Sequence, residues 1–272
     1  MAITLTLKSE IPLRLNLSGV TPSALLGLSE QAVAEVPVRL GSQSVPIGEF
    51  FRIGGDAADG SVILEGDLSR VDAIGEGLSE GTILSRGPVG RLTGRQMTGG
   101  TITIQGSTGA GAGLSMRGGK LFIEGDTGDD LGGLEPGRKV GMQGGIILVN
   151  GHAGDHIGRQ MRRGTIAVRG NGGNGVMMDA IAGSVFIFGD CGQRPGAGMR
   201  RGTLFLLGPT EPPVLPTFKR GRDIEPLFGR LLLRDLISEQ FAVEERFLHQ
   251  VYRVYHGDLL SLGLGELLVP ER

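Results

Sequence analysis

Residues 164–170 read GTIAVRG, and the same form returns as GSVFIFG at 183–189 and as GTLFLLG at 202–208. Each block is a glycine, a small or polar residue, two apolar residues separated by one position, a variable residue and a second glycine. Five earlier blocks match it: GSVILEG, GTILSRG, GTITIQG, GKLFIEG and GIILVNG. The closing glycines are separated by 21, 19, 19, 26, 19, 19 and 19 residues. So regular a period predicts a solenoid of stacked repeats.

The alternation inside each block has the period of a β-strand. One set of side chains is therefore predicted to point inward and form an aliphatic core, and its members are Ile102, Ile104, Leu121, Ile123, Ile147, Val149, Ile166, Val168, Val185, Ile187, Leu204 and Leu206. A helical repeat is disfavoured because each internal glycine would cost a helix about 1 kcal/mol. We therefore predict an all-β fold, a right-handed single-stranded β-helix of about eight coils with a period of about 19 residues.

The chain divides into three predicted regions. Residues 1–50 form an N-terminal cap, with a strand at 3–7, a short helix opened by Thr21 and Pro22, and a hairpin at 41–44. Residues 51–208 form the solenoid, from which the extra residues LEPGRKV at 134–140 bulge at one edge. Residues 209–272 form a linker and docking tail, which opens with PTEPPVLP and continues into a helix.

The outward strand positions are unusually apolar for a solenoid surface. The middle outward residues of the blocks are Ile63, Leu84, Thr103, Phe122, Leu148, Ala167, Phe186 and Phe205. A patch of this kind has to be covered. We expect both the chain's own tail and another protein to cover it.

Two further columns follow from the repeat register. Five methionines share one position three residues before the opening glycines and are expected to fill the corners beside the strand core. Arginines follow at the next two positions and at an earlier turn, and stacking would align them into a basic ridge. A solvated edge or subunit salt bridges would also explain it. As contacts for an anionic carrier we select Arg117, Arg159, Arg162, Arg163, Arg200 and Arg201.

Catalytic and metal-binding patterns are weak. His152, Asp155 and His156 could suggest a metal, but no third and fourth ligands are evident, and polar turn residues commonly bind backbone groups. The sequence GAGAG at 109–113 is predicted to be a turn because it lacks the Lys-Ser or Lys-Thr of a phosphate loop. Cys191 has no histidine in its block and is not expected to be a nucleophile. We predict no catalytic residue and no metal site in this chain.

Charge and cysteine content narrow the setting. The formal net charge of −2 argues against nonspecific binding to nucleic acid or to an anionic membrane. The single cysteine, Cys191, suits a reducing compartment, and the first residues lack the apolar run of a signal peptide. The cytoplasm is the predicted location.

Repeats such as GRQMTGGTITIQG and GRQMRRGTIAVRG resemble the glycine-repeat β-helix of two groups of proteins. These are the C-terminal domain of the large glutamate synthase subunit and the C subunit of formylmethanofuran dehydrogenase. The tail separates them, because YHGDLLSLGLGELL, with Tyr255, Gly257, Asp258, Gly263, Gly265, Glu266 and Leu267, resembles the closing segment of these C subunits. The resemblance runs from about residue 50 to the end.

The resemblance implies a non-catalytic scaffold in a formyltransferase/hydrolase complex. Such a complex moves a formyl group from formyl-tetrahydromethanopterin to a methanofuran-type carrier and releases formate. It implies three partners, an amidohydrolase-like subunit, a formyltransferase subunit and a further dehydrogenase-like subunit. Zinc, tetrahydromethanopterin and the carrier are expected on those partners, and no cofactor on this chain.

Three alternatives stay open. The chain could be the C subunit of a molybdenum or tungsten formylmethanofuran dehydrogenase, although a preference for arginine over lysine favours the bacterial formyl-transfer complex. It could be a glutamate-synthase-like structural domain. It could also be an independent solenoid lyase or hydrolase, but Glu65 and Glu124 would lie three coils apart, roughly 14 Å, which is too far for a catalytic pair.

Overall fold

A computed structural model describes residues 2–56 and 58–271. The helices, in chain order, are α1 (Pro22–Leu25), α2 (Glu30–Ala34), α3 (Leu227–Ser238) and α4 (Arg246–His249). The strands are β1 (Ile3–Leu7), β2 (Leu15–Asn16), β3 (Pro37–Leu40), β4 (Gln43–Pro46), β5 (Phe51–Gly54), β6 (Ser61–Glu65), β7 (Val71–Asp72), β8 (Thr82–Ser85), β9 (Thr101–Ile104), β10 (Lys120–Ile123), β11 (Gln143–Val149), β12 (Arg163–Val168), β13 (Ser184–Ile187), β14 (Arg201–Leu206), β15 (Lys219–Ile224), β16 (Tyr252–Gly257) and β17 (Leu264–Pro270).

The fold is mostly β and is dominated by one 13-stranded, mostly parallel sheet. Its order is β15-β16-β17-β14-β13-β12-β11-β10-β9-β8-β6-β1-β5. The eight glycine-bounded blocks supply β6 and β8 to β14, and each of these strands pairs in parallel with the next block's strand. The extra residues at 134–140 do not disturb the pairing, since Leu121 still lies opposite Ile147. We call each strand of this row, with its turns, a layer.

A second parallel row of backbone contacts runs beside the sheet. Single bridges join Leu68, Val89, Thr108, Thr127, Ala153, Gly172 and Cys191, one in each layer. Every layer from Leu68 to Cys191 is therefore held to its neighbours at two places. Where the spacing is 19 residues, the constant repeat length keeps both rows in register.

Strands from the two ends of the chain extend the parallel row. At one end β1 pairs in parallel with β6 and antiparallel with β5. At the other end β17 pairs in parallel with β14 and antiparallel with β16, which in turn pairs with β15. The outer strand β15 reads KRGRDI and is largely exposed, so its charged side chains discourage further strand pairing.

The predicted inward residues form the main core. From Ile102 to Leu206 each of them is at most 2% exposed, which confirms that part of the pattern. The methionine column was expected beside the core, but Met97, Met116, Met142, Met161 and Met199 are completely buried within it. Flexible thioether side chains fill the corners of the layers, where a branched side chain would fit less easily.

The local predictions for both ends also hold. The strand at 3–7 is β1, and Thr21 caps α1 by accepting a hydrogen bond from the Ala24 amide at 3.3 Å. The hairpin is formed by β3 and β4, and a separate four-stranded sheet continues from β3 through β2 to β7. The helix expected in the tail is α3. No described helix is both long enough and apolar enough to cross a membrane.

Candidate functional site

Three arginines of the predicted ridge occupy equivalent places in their layers. The amide of Arg117 donates to the Met97 carbonyl, that of Arg162 to Met142 and that of Arg200 to Ala180, at 2.8, 2.7 and 2.7 Å. The layers between them carry Gln143 and Ile181 at the same place. The arginines are thus two layers apart, roughly 10 Å.

Arg163 and Arg201 continue this ridge as the first residues of β12 and β14. All five arginines are exposed. Within the described ranges none of the five forms an ion pair or a side-chain hydrogen bond. Their charges are therefore open to a ligand or to another protein, which suits the predicted role in anion binding.

The structure adds two cations to this ridge that the sequence pattern did not predict. A cavity of about 580 Å³ between the inserted segment and the ridge is lined by Arg138, Lys139, Asp179 and Arg200, among others. The basic pair lies in the insertion, outside the repeat register, so its place could not be read from the period. The sequence signal for these two cations was the basic composition of the end of the insertion, GRKV.

Arg159 does not lie with the other five arginines. It is partly buried and lines a different cavity, of about 560 Å³, together with Arg91, Leu114, Leu134 and Glu135. Its Nε atom is buried without a hydrogen-bond partner among the described residues.

Glu135 fixes the inserted segment against the layers. Its carboxylate is buried and accepts hydrogen bonds from Gln96 Nε2 at 2.7 and 2.8 Å and from Arg138 Nε at 2.7 Å. Arg95 Nε lies 3.5 Å from the same carboxylate. A buried carboxylate is stable only with such partners. The inserted segment is consequently held in place and lines part of both cavities.

His152 and Asp155 bind backbone, as the structural interpretation of GHAGDH predicted. His152 Nδ1 accepts the Asn171 amide at 2.9 Å, and Asp155 Oδ1 accepts the Asn174 amide at 2.7 Å. The same bond joins a series of turns, which we call the turn ladder: Asp126 to His152, His152 to Asn171, Asn171 to Asp190 and Asp190 to Thr210. Each acceptor from Asp126 to Asp190 directly follows a closing glycine. That regular position was a sequence signal for the ladder.

Other reactive candidates also have structural surroundings. Burial raises the pKa of Cys191 to about 12, so the thiol stays protonated near neutral pH and is a poor nucleophile. The GAGAG segment is a turn, as predicted, with Gly111 and Gly113 at positive φ. The described residues contain no group of three or more His, Cys, Asp or Glu side chains placed to hold a metal ion.

The tail covers half of the apolar outward column, as expected. Leu148, Ala167, Phe186 and Phe205 are buried in a second core beneath residues of the tail: Leu233, Leu236, Phe241, Phe247, Tyr252, Val254 and Leu268. The rings of Phe186 and Phe205 stack with centroids 4.3 Å apart, and Tyr252 meets Phe205 edge-on at 6.0 Å. The Tyr252 hydroxyl donates to the Phe247 carbonyl at 2.8 Å, and burial raises its pKa.

The fold of the whole chain has a counterpart among known proteins. The C subunit of the formyltransferase/hydrolase complex of Methylorubrum extorquens is 48% identical over 267 residues, which are 98% of this chain and 99% of the relative. The chain belongs to this family of C subunits. A chain in the crystal structure of the formyltransferase/hydrolase complex FhcABCD from M. extorquens, solved with methylofuran, matches with a TM-score of 0.91. That match has 38% identity and covers 99% of this chain and 100% of the other.

About a third of the chain is also similar to C subunits of formylmethanofuran dehydrogenases. The C subunit of a molybdenum-containing formylmethanofuran dehydrogenase from Methanosarcina barkeri is 32% identical over 87 residues, 30% of this chain and 29% of the relative. The tungsten-containing counterpart from Methanothermobacter marburgensis is 34% identical over 96 residues, 34% of this chain and 36% of the relative. No family model matches the chain.

In this member of the family, the other half of the outward column is only partly covered. Ile63, Leu84, Thr103 and Phe122 are neither fully buried nor fully exposed. At the edge of the area that the tail covers, a groove of about 410 Å³ opens between Phe122, Leu148 and Phe241. The ion pair of Lys120 and Glu239, at 2.6 Å, marks its rim. The tail therefore leaves this half of the outward column partly open.

Proposed function

We propose that this chain is a non-catalytic scaffold subunit of a formyltransferase/hydrolase complex. In that complex a formyl group would pass from formyl-tetrahydromethanopterin to a methanofuran-type carrier and be released as formate, the last step in oxidising formaldehyde. One observation carries the proposal, namely the match along the whole chain, at a TM-score of 0.91, to a chain of a complex solved with methylofuran.

We assign the chemistry to the partner subunits. An amidohydrolase-like partner would hold zinc, a formyltransferase partner would bind tetrahydromethanopterin, and a dehydrogenase-like subunit would complete the assembly. The support in this chain is that the reactive side chains singled out from its sequence have structural roles. His152 and Asp155 each accept a backbone amide, and the Cys191 thiol is held protonated by burial.

Affinity purification of the tagged chain from its native host tests the assembly. Mass spectrometry is expected to identify an amidohydrolase-like and a formyltransferase subunit, and the complex is expected to release formate. A lone chain would contradict the proposal. The second candidate, a molybdenum or tungsten formylmethanofuran dehydrogenase, is favoured by similarity over about a third of this chain. It would be supported by molybdenum or tungsten in the purified complex.

Within this function, we propose that the ridge binds the acidic part of the methanofuran-type carrier. The support is that Arg117, Arg162, Arg163, Arg200 and Arg201 are exposed and that none is paired within the described ranges. We include Arg159 in this proposal because it lines the cavity of about 560 Å³ together with Arg91, which supplies a second positive charge.

The ridge is tested in the intact complex with three glutamine substitutions, at Arg117, Arg162 and Arg163. These arginines are chosen because they lie away from the C-terminal strands. We expect about a tenfold or greater loss of carrier from the purified complex, since several charge-assisted contacts are removed. The matched control replaces the exposed tail arginines Arg222 and Arg234 by glutamine and should leave the carrier content unchanged. Equal carrier content in both variants contradicts this role.

The finer description of the fold is also a proposal. We infer that the layers form a right-handed single-stranded β-helix, supported by two parallel rows of contacts that repeat once per layer. We keep the division into a cap at 1–50, a solenoid at 51–208 and a tail at 209–272, and the cytoplasm as the compartment. An experimental structure of the purified complex would test the handedness and these boundaries together.

A further inference from the structure

The loop between β16 and β17 presents an unusual group of apolar side chains. It spans residues 258–263, and we call these residues, together with Leu264 at the start of β17, the C-terminal loop. Leu259, Leu260, Leu262 and Leu264 are 58, 85, 57 and 57% exposed. Single exposed leucines are common on protein surfaces, but four within six residues form a contiguous apolar patch, which is typical of an interaction site.

The C-terminal loop is held rigidly by a buried aspartate. The Asp258 side chain accepts the amides of Gly198 and Leu260, both at 3.0 Å, although the residue is only 4% exposed. Its backbone carbonyl accepts the amides of Ser261 and Gly263 at 2.9 and 3.0 Å. The backbone of the loop is therefore held in one conformation before any partner arrives. Binding then costs less conformational entropy than it would with a flexible loop.

The base of the C-terminal loop lies against the end of the arginine ridge. The Asp258 amide donates to the Met199 carbonyl at 3.3 Å, and Leu264 pairs with Arg201 across β14 and β17. Arg200 and Arg201 therefore flank the loop. Glu266, an acidic residue near the loop on β17, lies 3.9 Å from His256. The patch is consequently apolar at its centre and positively charged along one side.

We propose that the C-terminal loop is a docking anchor for another protein subunit, one that offers an apolar pocket with carboxylates along one rim. This rests on the proposed function, because it assumes a hetero-oligomeric complex. A second copy of the chain is a poorer fit, since a two-fold contact through this loop would bring the same arginines together from both copies.

Replacement of Leu260 by serine tests the anchor in the complex. The side chain is 85% exposed, so L260S should fold normally, with the melting temperature of the isolated chain unchanged. If the leucine fills a partner pocket, the amount of partner retained on the tagged chain should fall about tenfold or more, as for a central interface residue. Arg201→Glu should also weaken retention and should make the remaining binding less sensitive to salt.

The matched control is Leu13→Ser, because Leu13 is 58% exposed and belongs to the N-terminal region. Retention by L13S is expected to equal that of the unmodified chain. Full retention by L260S, or equal losses with both substitutions, overturns the anchor while leaving the proposed assembly intact. If the unmodified chain retains no partner, the proposed function fails and this inference fails with it.

Discussion

Asp155 connects the turns of three successive layers. Its amide donates to Asp129 Oδ1 at 2.8 Å, and its own Oδ1 accepts the Asn174 amide at 2.7 Å. The bonds from the Asn174 amide and side chain lower the pKa of the Asp155 carboxyl, because they stabilise its charged form. The ionised carboxylate therefore favours the folded state.

We predict that Asp155→Ala lowers the free energy of unfolding by about 0.5–1 kcal/mol at pH 7, a modest loss because the carboxylate is open to solvent. The lowered pKa sets the pH dependence. The benefit is complete above the unfolded-state pKa near 3.8 and disappears as the pH falls through the lower folded-state value. Denaturant titrations should show the two proteins converging once the pH has fallen below the folded-state pKa of Asp155.

Asp155→Asn is the control, because its amide oxygen can still accept the Asn174 amide. It should keep more stability at neutral pH than Asp155→Ala. A difference between the alanine variant and the unmodified chain that persists unchanged in acid would show that the charge of Asp155 plays no part.

At the scale of elements, α3 approaches the sheet through one glycine. A Cβ atom placed on Gly229 would lie 2.8 Å from both Cε1 and Cζ of Phe205, which are ring atoms of a side chain stacked on Phe186. The ring cannot move freely, because Tyr252 contacts its edge. Glycine is therefore needed here for close packing and not for a positive φ angle.

Gly229→Ala is expected to destabilise the chain by about 1–2 kcal/mol. The clash with Phe205 should cost about 1–3 kcal/mol, and the better helix propensity of alanine returns up to about 1 kcal/mol of it. Arg234→Ala, on the exposed side of α3, should change the stability by less than about 0.5 kcal/mol. Denaturant titration of both variants checks this, and a stabilised Gly229→Ala would show that α3 can shift away from the sheet.

The elements that could be predicted from sequence are those with a local pattern. The glycine-bounded blocks revealed β6 and β8 to β14 because every layer repeats the same alternation. The joining of β17 to β14 was not predicted, because Leu264–Pro270 has no repeat-spaced block and its place depends on contacts made about 60 residues earlier in the chain. Arg159 was grouped with the ridge, whereas its surroundings are set by the anchored insertion, whose conformation no period describes.

Across the whole molecule, the protection of backbone amides from hydrogen exchange should depend on the layer in which they lie. The four residues of β13 are all buried, because the main core lies on one face and the tail on the other. The outer strand β15 is largely exposed. Hydrogen exchange of the isolated chain is therefore expected to be slowest in β12 and β13 and fastest in β15, by several orders of magnitude. Uniform exchange along the sheet would mean that the layers open only together.

The turn ladder also gives the molecule a fixed unit of length. Each acceptor side chain binds the backbone of the following layer, always in the same direction along the chain. Extra residues that bulge from a turn, such as 134–140, leave the ladder intact and add no length, since His152 still binds Asp126 across them, whereas a whole repeat would preserve every bond and add about 4.8 Å. The distance between the N-terminal strands and the C-terminal loop can therefore change during evolution only in discrete steps. The length of the row of layers is thus always a whole number of layer spacings.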